Sequence, residues 1–176
     1  MKTIAVLIWL KVIVMILAVL VVLYLLMIMP RLTNRRERKK FLNVYYAHRG
    51  LHDNETDAPE NSMSAFRRAV EAGDGIELDV QVTKDKIPVV FHDFTLQRVC
   101  GQEGKVCDYT YEELQKFRLC KSSETIPLFE DVLKLVAGKV PLIVELKVEF
   151  TDLSVCEKAD ALLRKYKGLY CMESFN

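Results

Sequence analysis

The chain has 176 residues, 51% of them hydrophobic, and a formal net charge of +1. That length fits one modest domain, and the near-neutral balance argues against nucleic acid as a general partner. Five cysteines, Cys100, Cys107, Cys120, Cys156 and Cys171, make an odd set with no C-x-x-C spacing. They fit reduced thiols in a cytosolic domain better than a disulfide framework, a Cys100–Cys107 bridge included.

Thr3 to Met29 is apolar apart from Lys11, and Val12 to Met29 carries no charge. At ~1.5 Å per residue this run reaches ~27 Å, close to the ~30 Å hydrocarbon core, and Lys11 can snorkel to the nearer interface. A cleaved signal peptide needs small residues at its end, whereas Met27-Ile28-Met29-Pro30 is bulky. Residues 1–30 are therefore expected to be an uncleaved single-pass anchor. Arg31, Arg35, Arg36, Arg38, Lys39 and Lys40 follow, opposed only by Glu37. Positive charge stays on the cytoplasmic side, so the N-terminus is expected outside and the domain in the cytoplasm. Residues 31–40 thus read as a basic juxtamembrane linker, chiefly a topology signal. The folded domain is expected over 41–176.

Val44-Tyr45-Tyr46-Ala47 predicts a short strand that runs into His48-Arg49-Gly50, and Leu51 to Ala58 reads as a polar turn. Pro59-Glu60-Asn61-Ser62 opens a helix capped by Asn61 or Ser62. Met63, Phe66, Ala69 and Val70 recur at helical spacing, and Gly73 stops it. Next, Ile76, Leu78, Val80 and Val82 alternate with Glu77, Asp79, Gln81 and Thr83, which puts both acids on one face of a strand. Lys84-Asp85-Lys86 makes a polar turn, and Pro88-Val89-Val90-Phe91 delivers His92-Asp93 at its end. Asp93 to Asp108 reads as loop, and Thr110 with Glu113 as a capping box. A helix is predicted from Ile126-Pro127 to Gly138, a strand from Pro141 into Glu145-Leu146-Lys147, a helix around Ala159 to Tyr166, and a fifth strand over Leu169 to Phe175.

Strands alternating with helices predict an α/β chain with a parallel sheet, although Thr83 to Pro88 is too short to hold a helix. Polar residues collect at the strand ends: His48 and Arg49, Glu77 and Asp79, His92 and Asp93, Glu145 and Lys147, Glu173. In a (β/α) barrel such ends share the face that carries the active site. Val44, Tyr46, Val90 and Ile143 are expected to point inward. Glu77, Asp79 and Glu145 offer hard oxygen ligands suited to Mg²⁺ or Ca²⁺. His48 and His92 suit proton transfer near neutrality, and Arg49 and Lys147 suit a phosphate. Together they fit cleavage of a phosphodiester. Arg49 could instead pair with Glu60, and His52 reads as a solvated loop residue.

These motifs carry a resemblance. His48-Arg49-Gly50, Pro59-Glu60-Asn61-Ser62, Gly75 to Val80, Thr83-Lys84-Asp85, His92-Asp93, Glu145-Leu146-Lys147 and Ile126 to Val132 are similar, in order and spacing, to those of the glycerophosphodiester phosphodiesterase family. The resemblance runs from about Tyr45 to the end of the chain. It implies a TIM-type (β/α) barrel of the phospholipase-C-like phosphodiesterase kind, without a helix between its second and third strands. It implies one divalent cation on Glu77, Asp79 and Glu145, acid/base roles for His48 and His92, and phosphate contacts from Arg49 and Lys147. Analogy with related barrels makes His48 the base and His92 the acid, with the reverse open, and the nucleophile water or a substrate hydroxyl. Asp93 is read as orienting His92 or capping the loop. The implied reaction is hydrolysis of glycerophosphodiesters or lysophospholipids to glycerol phosphate and an alcohol.

Against ~250 residues for such a barrel, the domain is short. About five of eight strands are placed, preceded by one transmembrane helix, so an N-terminal part of a longer barrel with bare sheet edges is expected. The alternative is an inactive or structural remnant that at most binds phosphate.

Overall fold

The computed structural model of the chain describes residues 2–29, 35–149 and 152–175, without the side chains of 2–6 and 35. Two compact units result, Met1–Leu42 and Asn43–Asn176.

In the first unit, α1 (Lys2–Ile28) is apolar on every side. Its stretch Leu7–Ile28 has 22 residues, none of them buried. At ~1.5 Å per residue this is ~33 Å, long and apolar enough to cross a membrane. The short α2 (Arg35–Lys39) follows, with Lys40 paired to Glu37 at 2.7 Å. Arg31 of the basic cluster lies outside the described residues.

The second unit runs β1 (Tyr46–His48), α3 (Met63–Ala72), β2 (Gly75–Val82), β3 (Pro88–Val90), α4 (Gln97–Cys100), a 3₁₀ turn (Val106–Asp108), α5 (Tyr111–Leu114), α6 (Phe129–Val136), β4 (Leu142–Leu146), α7 (Ser154–Leu163) and β5 (Tyr170–Glu173). The sheet order is β1-β2-β4-β5, all parallel. β3 pairs antiparallel with the upper half of β2, Val80 to Val82, whereas β1 pairs with the lower half, Gly75 to Glu77. β4 occupies the other edge of β2, so β1 and β3 lie end to end along one edge.

The hairpin closes tightly. Thr83 N–H donates to the Ile87 carbonyl and the Thr83 hydroxyl accepts from Ile87 N–H, which fits the residue types of Thr83-Lys84-Asp85. β3 therefore runs back down the sheet, and its C-terminal end meets that of β1. This reversal is the structural use of the missing helix.

One face of the sheet is packed against helices. Ile76, Leu78 and Val80 of β2 and Leu142 and Val144 of β4 lie under Phe66 of α3, Phe129 and Val132 of α6, and Ala159 of α7. Burial of each large apolar side chain contributes about 1.5–3 kcal/mol. Val90 belongs to this layer: it stands opposite Val80, so it points at the helices rather than inward. The antiparallel register decides this. Its neighbours Val89 and Phe91 face the other way and join Leu96, Val99, Val106, Leu114, Leu119 and Ile126 in a second cluster. That cluster is why Asp93 to Asp108 is ordered, with α4 ended by Gly101 at φ 64° and a 3₁₀ turn where plain loop is expected. Val44, Tyr46 and Ile143 are half-buried.

α3 is capped as predicted, Ser62 accepting from Ala65 N–H at 3.1 Å and Gly73 closing it in the left-handed region. α6 starts later than expected, at Phe129. The Pro127 carbonyl accepts from Val90 N–H at 3.0 Å and Leu128 bridges Val89, so this backbone is committed to β3. The helix ends at Ala137, φ 48°, one residue before Gly138. All five cysteines are unbridged, Cys100 and Cys107 among them.

Candidate active site

The alternation of β2 and its register with β4 build the acidic centre. Asp79 stands opposite Glu145, and Glu77 lies two residues back on the same face. One ligand oxygen from each of Glu77, Asp79 and Glu145 lies within 4.8 Å of the others, and all three residues are buried. Burial first, then the charge of Asp79, pushes the Glu77 carboxyl up to about 7, against a hydrogen bond from Arg49 N–H. Lys147 Nζ rests on Glu145 Oε1 at 2.9 Å and Asp79 Oδ1 at 3.4 Å. The predicted phosphate contact thus sits on the carboxylates themselves.

Such a cluster of hard donors, carrying more negative charge than one ammonium offsets, fits a divalent cation of the Mg²⁺ or Ca²⁺ type. Asn61 supports it from behind, donating to Asp79 Oδ2 at 2.9 Å while its own Oδ1 is buried without a protein partner.

His48 closes β1 beside Glu77, with Nε2 3.8 Å from Glu77 Oε2. Partial burial, then the charge of Arg49, lowers its pKa. Arg49 follows at φ 57°. Its N–H donates to Glu77 Oε2 at 3.1 Å, and its Nη1 to Glu60 Oε1 at 3.0 Å, the pairing foreseen from sequence. Its Nε is buried without a hydrogen-bond partner, 3.8 Å from Asp79 Oδ2. An orphaned guanidinium N–H beside the acidic centre fits an anion such as phosphate. Gly50 makes the turn workable: φ is 82°, and a Cβ there would lie 3.0 Å from Ala65 and Phe66.

His92 lies just beyond the end of β3, on the same end of the sheet as the acidic centre. Its Nδ1 lies 2.6 Å from Asp93 Oδ1. Gln81, in phase with Glu77 and Asp79, donates from Nε2 to the carbonyls of Phe91 at 2.7 Å and Asp93 at 2.8 Å, which pins the segment carrying His92. Asp93 accepts from Arg98 Nε at 2.7 Å, and Arg98 also donates to Glu60 at 2.6 and 2.7 Å. Burial opposes ionisation of Glu60, but hydrogen bonds from Arg98 and Asn54 hold its carboxyl down to about 2. His52 is exposed, and Glu173 is an exposed neighbour of Glu145 on β5.

All seven residues singled out from sequence, His48, Arg49, Glu77, Asp79, His92, Glu145 and Lys147, are thus at one end of the sheet. Gln81, Arg98 and the contact of Asn61 with Asp79 are not expected from the sequence, whereas the Arg49–Glu60 pair is. The period of two could have flagged Gln81. Nothing local flags the link from Arg98 to Glu60, 38 residues earlier.

Comparison with known proteins bears on this arrangement. Residues 48–170 match the model of the glycerophosphoryl diester phosphodiesterase family. A glycerophosphodiester phosphodiesterase of Bacillus altitudinis is 43% identical over 111 residues, covering 59% of this chain and 44% of the relative. A lysophospholipase D of Homo sapiens is 32% identical over 160 residues, covering 84% of this chain and 49% of the relative. The chain therefore spans about half the length of these relatives. Among solved structures, an Oleispira antarctica phosphodiesterase in complex with the product sn-glycerol-3-phosphate superposes with a TM-score of 0.70 at 27% identity, over 78% of this chain and 60% of that one. A glycerophosphodiester phosphodiesterase of Thermotoga maritima gives 0.59 at 32% identity, over 76% and 55%. The five strands here are those of a TIM-type (β/α) barrel. With its matched segment covering well over half its length and His48 and His92 both within it, the chain belongs to the glycerophosphoryl diester phosphodiesterase family.

Proposed function

We propose that the chain hydrolyses glycerophosphodiesters, or lysophospholipids as their acylated form, releasing a glycerol phosphate and an alcohol. The observation that carries this reading is the convergence of three buried carboxylates with a buried, unpartnered Arg49 Nε beside them. The activities for which the relatives are named, phosphodiesterase and lysophospholipase D, and the glycerol phosphate bound to the Oleispira protein support the same substrate class.

Glu77, Asp79 and Glu145 would hold one divalent cation, Mg²⁺ or Ca²⁺, which when bound supplies Lewis-acid polarisation of a phosphoryl oxygen. Arg49 and Lys147 bind the remaining phosphate oxygens and orient the diester. His48 takes the proton from the attacking water or neighbouring substrate hydroxyl, and His92 returns one to the leaving alcohol oxygen. Partial burial and then the charge of Arg49 lower the pKa of His48, which suits a base, and Asp93 Oδ1 beside Nδ1 of His92 leaves its Nε2 to serve the leaving oxygen.

Residues 1–30 act as a membrane anchor, 31–40 as the basic linker and 41–176 as the phosphodiesterase domain, with the N-terminus outside and the domain cytoplasmic. The apolar α1 and the run of basic residues after it support this.

The test is choline release from glycerophosphocholine by the full chain in detergent, with EDTA and after adding back Mg²⁺ or Ca²⁺. Metal-dependent release supports hydrolysis. Phosphate binding without turnover at saturating metal would identify the chain as a binding remnant.

A further inference from the structure

Arg98 makes four hydrogen bonds to two carboxylates that belong to different loops. Nε and Nη2 donate to Asp93 at 2.7 and 2.9 Å, and Nη1 and Nη2 donate to Glu60 at 2.7 and 2.6 Å. Glu60 is fixed: its side chain is 5% exposed, it is shared with Arg49, and Asn54 bonds both its carboxylate and its backbone N–H. Arg98 itself is fixed by α4, whose Val99 and following Cys100 pack into the second apolar cluster. The guanidinium fork thus transfers the rigidity of the Glu60 loop to Asp93, and Asp93 touches His92.

We infer that Arg98 is a positioning residue for His92: by clamping the Asp93 carboxylate, it sets the ring tautomer and aims Nε2 at the substrate. An ionised carboxylate only accepts. Its Oδ1, 2.6 Å from Nδ1, therefore requires the proton on Nδ1. Nε2 is left as the nitrogen that exchanges a proton with substrate. Without the fork, the Asp93 side chain, in the bend beyond β3 and 21% exposed, can turn away from the ring while Gln81 still holds its backbone carbonyl. The same guanidinium, through Glu60, holds Arg49 and His92 at a constant separation, so phosphate binding and proton delivery share one frame. This deepens the proposed phosphodiesterase reading and rests on it for the role of His92, though not for its tautomer.

The test reads the ring directly. Long-range ¹⁵N–¹H correlation on the detergent-solubilised full chain, with His92 signals identified by their loss in His92→Gln, reports which nitrogen carries the proton in the neutral ring. The wild-type chain should show the Nδ1–H form. Arg98→Met should lose it, with kcat for glycerophosphocholine falling on the order of 10–100-fold, as for other residues that orient a reacting group, and KM little changed. Guanidinium ion added to Arg98→Met should restore part of the rate. An Nε2–H form in the wild-type chain overturns the inference without recourse to any variant, as does an unchanged Nδ1–H form in a folded Arg98→Met. A shifted tautomer in Arg98→Met together with full turnover in His92→Gln would uphold the positioning and overturn the catalytic role of His92 instead.

Discussion

Glu77 bears the strongest electrostatic conflict in the candidate site, buried beside Asp79 with its carboxyl raised to about 7. A divalent cation relieves that conflict, so Glu77→Gln should remove a ligand and much of the affinity. Calorimetry with Mg²⁺ and Ca²⁺ checks this: unchanged affinity in the variant would place the cation elsewhere. For the two imidazoles, His48→Ala and His92→Ala should each cost about 10²–10⁴-fold in turnover. Near-wild-type rates in both would remove proton transfer from these residues. The sequence exposed these groups because each sits at a strand end or repeats with the strand period. Arg98 carried no such mark, since its significance lies in meeting Glu60, 38 residues earlier.

At the scale of elements, the turn from β1 into α3 is a tight joint beside the site. Gly50 needs φ 82° and has Ala65 and Phe66 of α3 where a Cβ would be. Gly50→Ala should therefore lower stability by about 1–3 kcal/mol through backbone strain, with a further loss from contact. Thermal unfolding of the solubilised chain measures it, and an unchanged midpoint would contradict the geometry. Glu60 binds the loop before α3 to α4 and gives this region a pH signature. Its folded pKa of about 2 lies below the unfolded value near 4.5. The unfolded chain thus binds the proton first as pH falls, and the stabilisation, full above about pH 5, is lost as pH drops through about 2. Glu60→Gln should flatten that part of the stability profile, while an identical acid limb in the variant would assign it to other carboxylates.

For the whole molecule, the proposed anchor makes the orientation of the domain a testable prediction. α1 has the length to span, and the basic residues after it predict a cytoplasmic domain. Protease added to intact cells should leave the domain uncut until permeabilisation. Cleavage of the intact-cell sample would reverse the orientation and place five thiols in an oxidising compartment.

Local patterns in the sequence determined the strand carrying Glu77 and Asp79, a helix cap at Asn61 or Ser62, the hairpin without a helix and the seven candidate site residues at strand ends, because period, capping and turn chemistry act within a few residues. What only tertiary structure decided depends on pairing between distant segments. Val90 points at the helices because β3 runs antiparallel to β2. α6 begins late because Pro127 and Leu128 pair with β3. The segment after Asp93 folds into α4 because a second apolar cluster buries it. Lys147 meets Asp79, and Arg98 meets Glu60, because hydrogen bonds between side chains remote in sequence form only once the sheet and its loops bring them together.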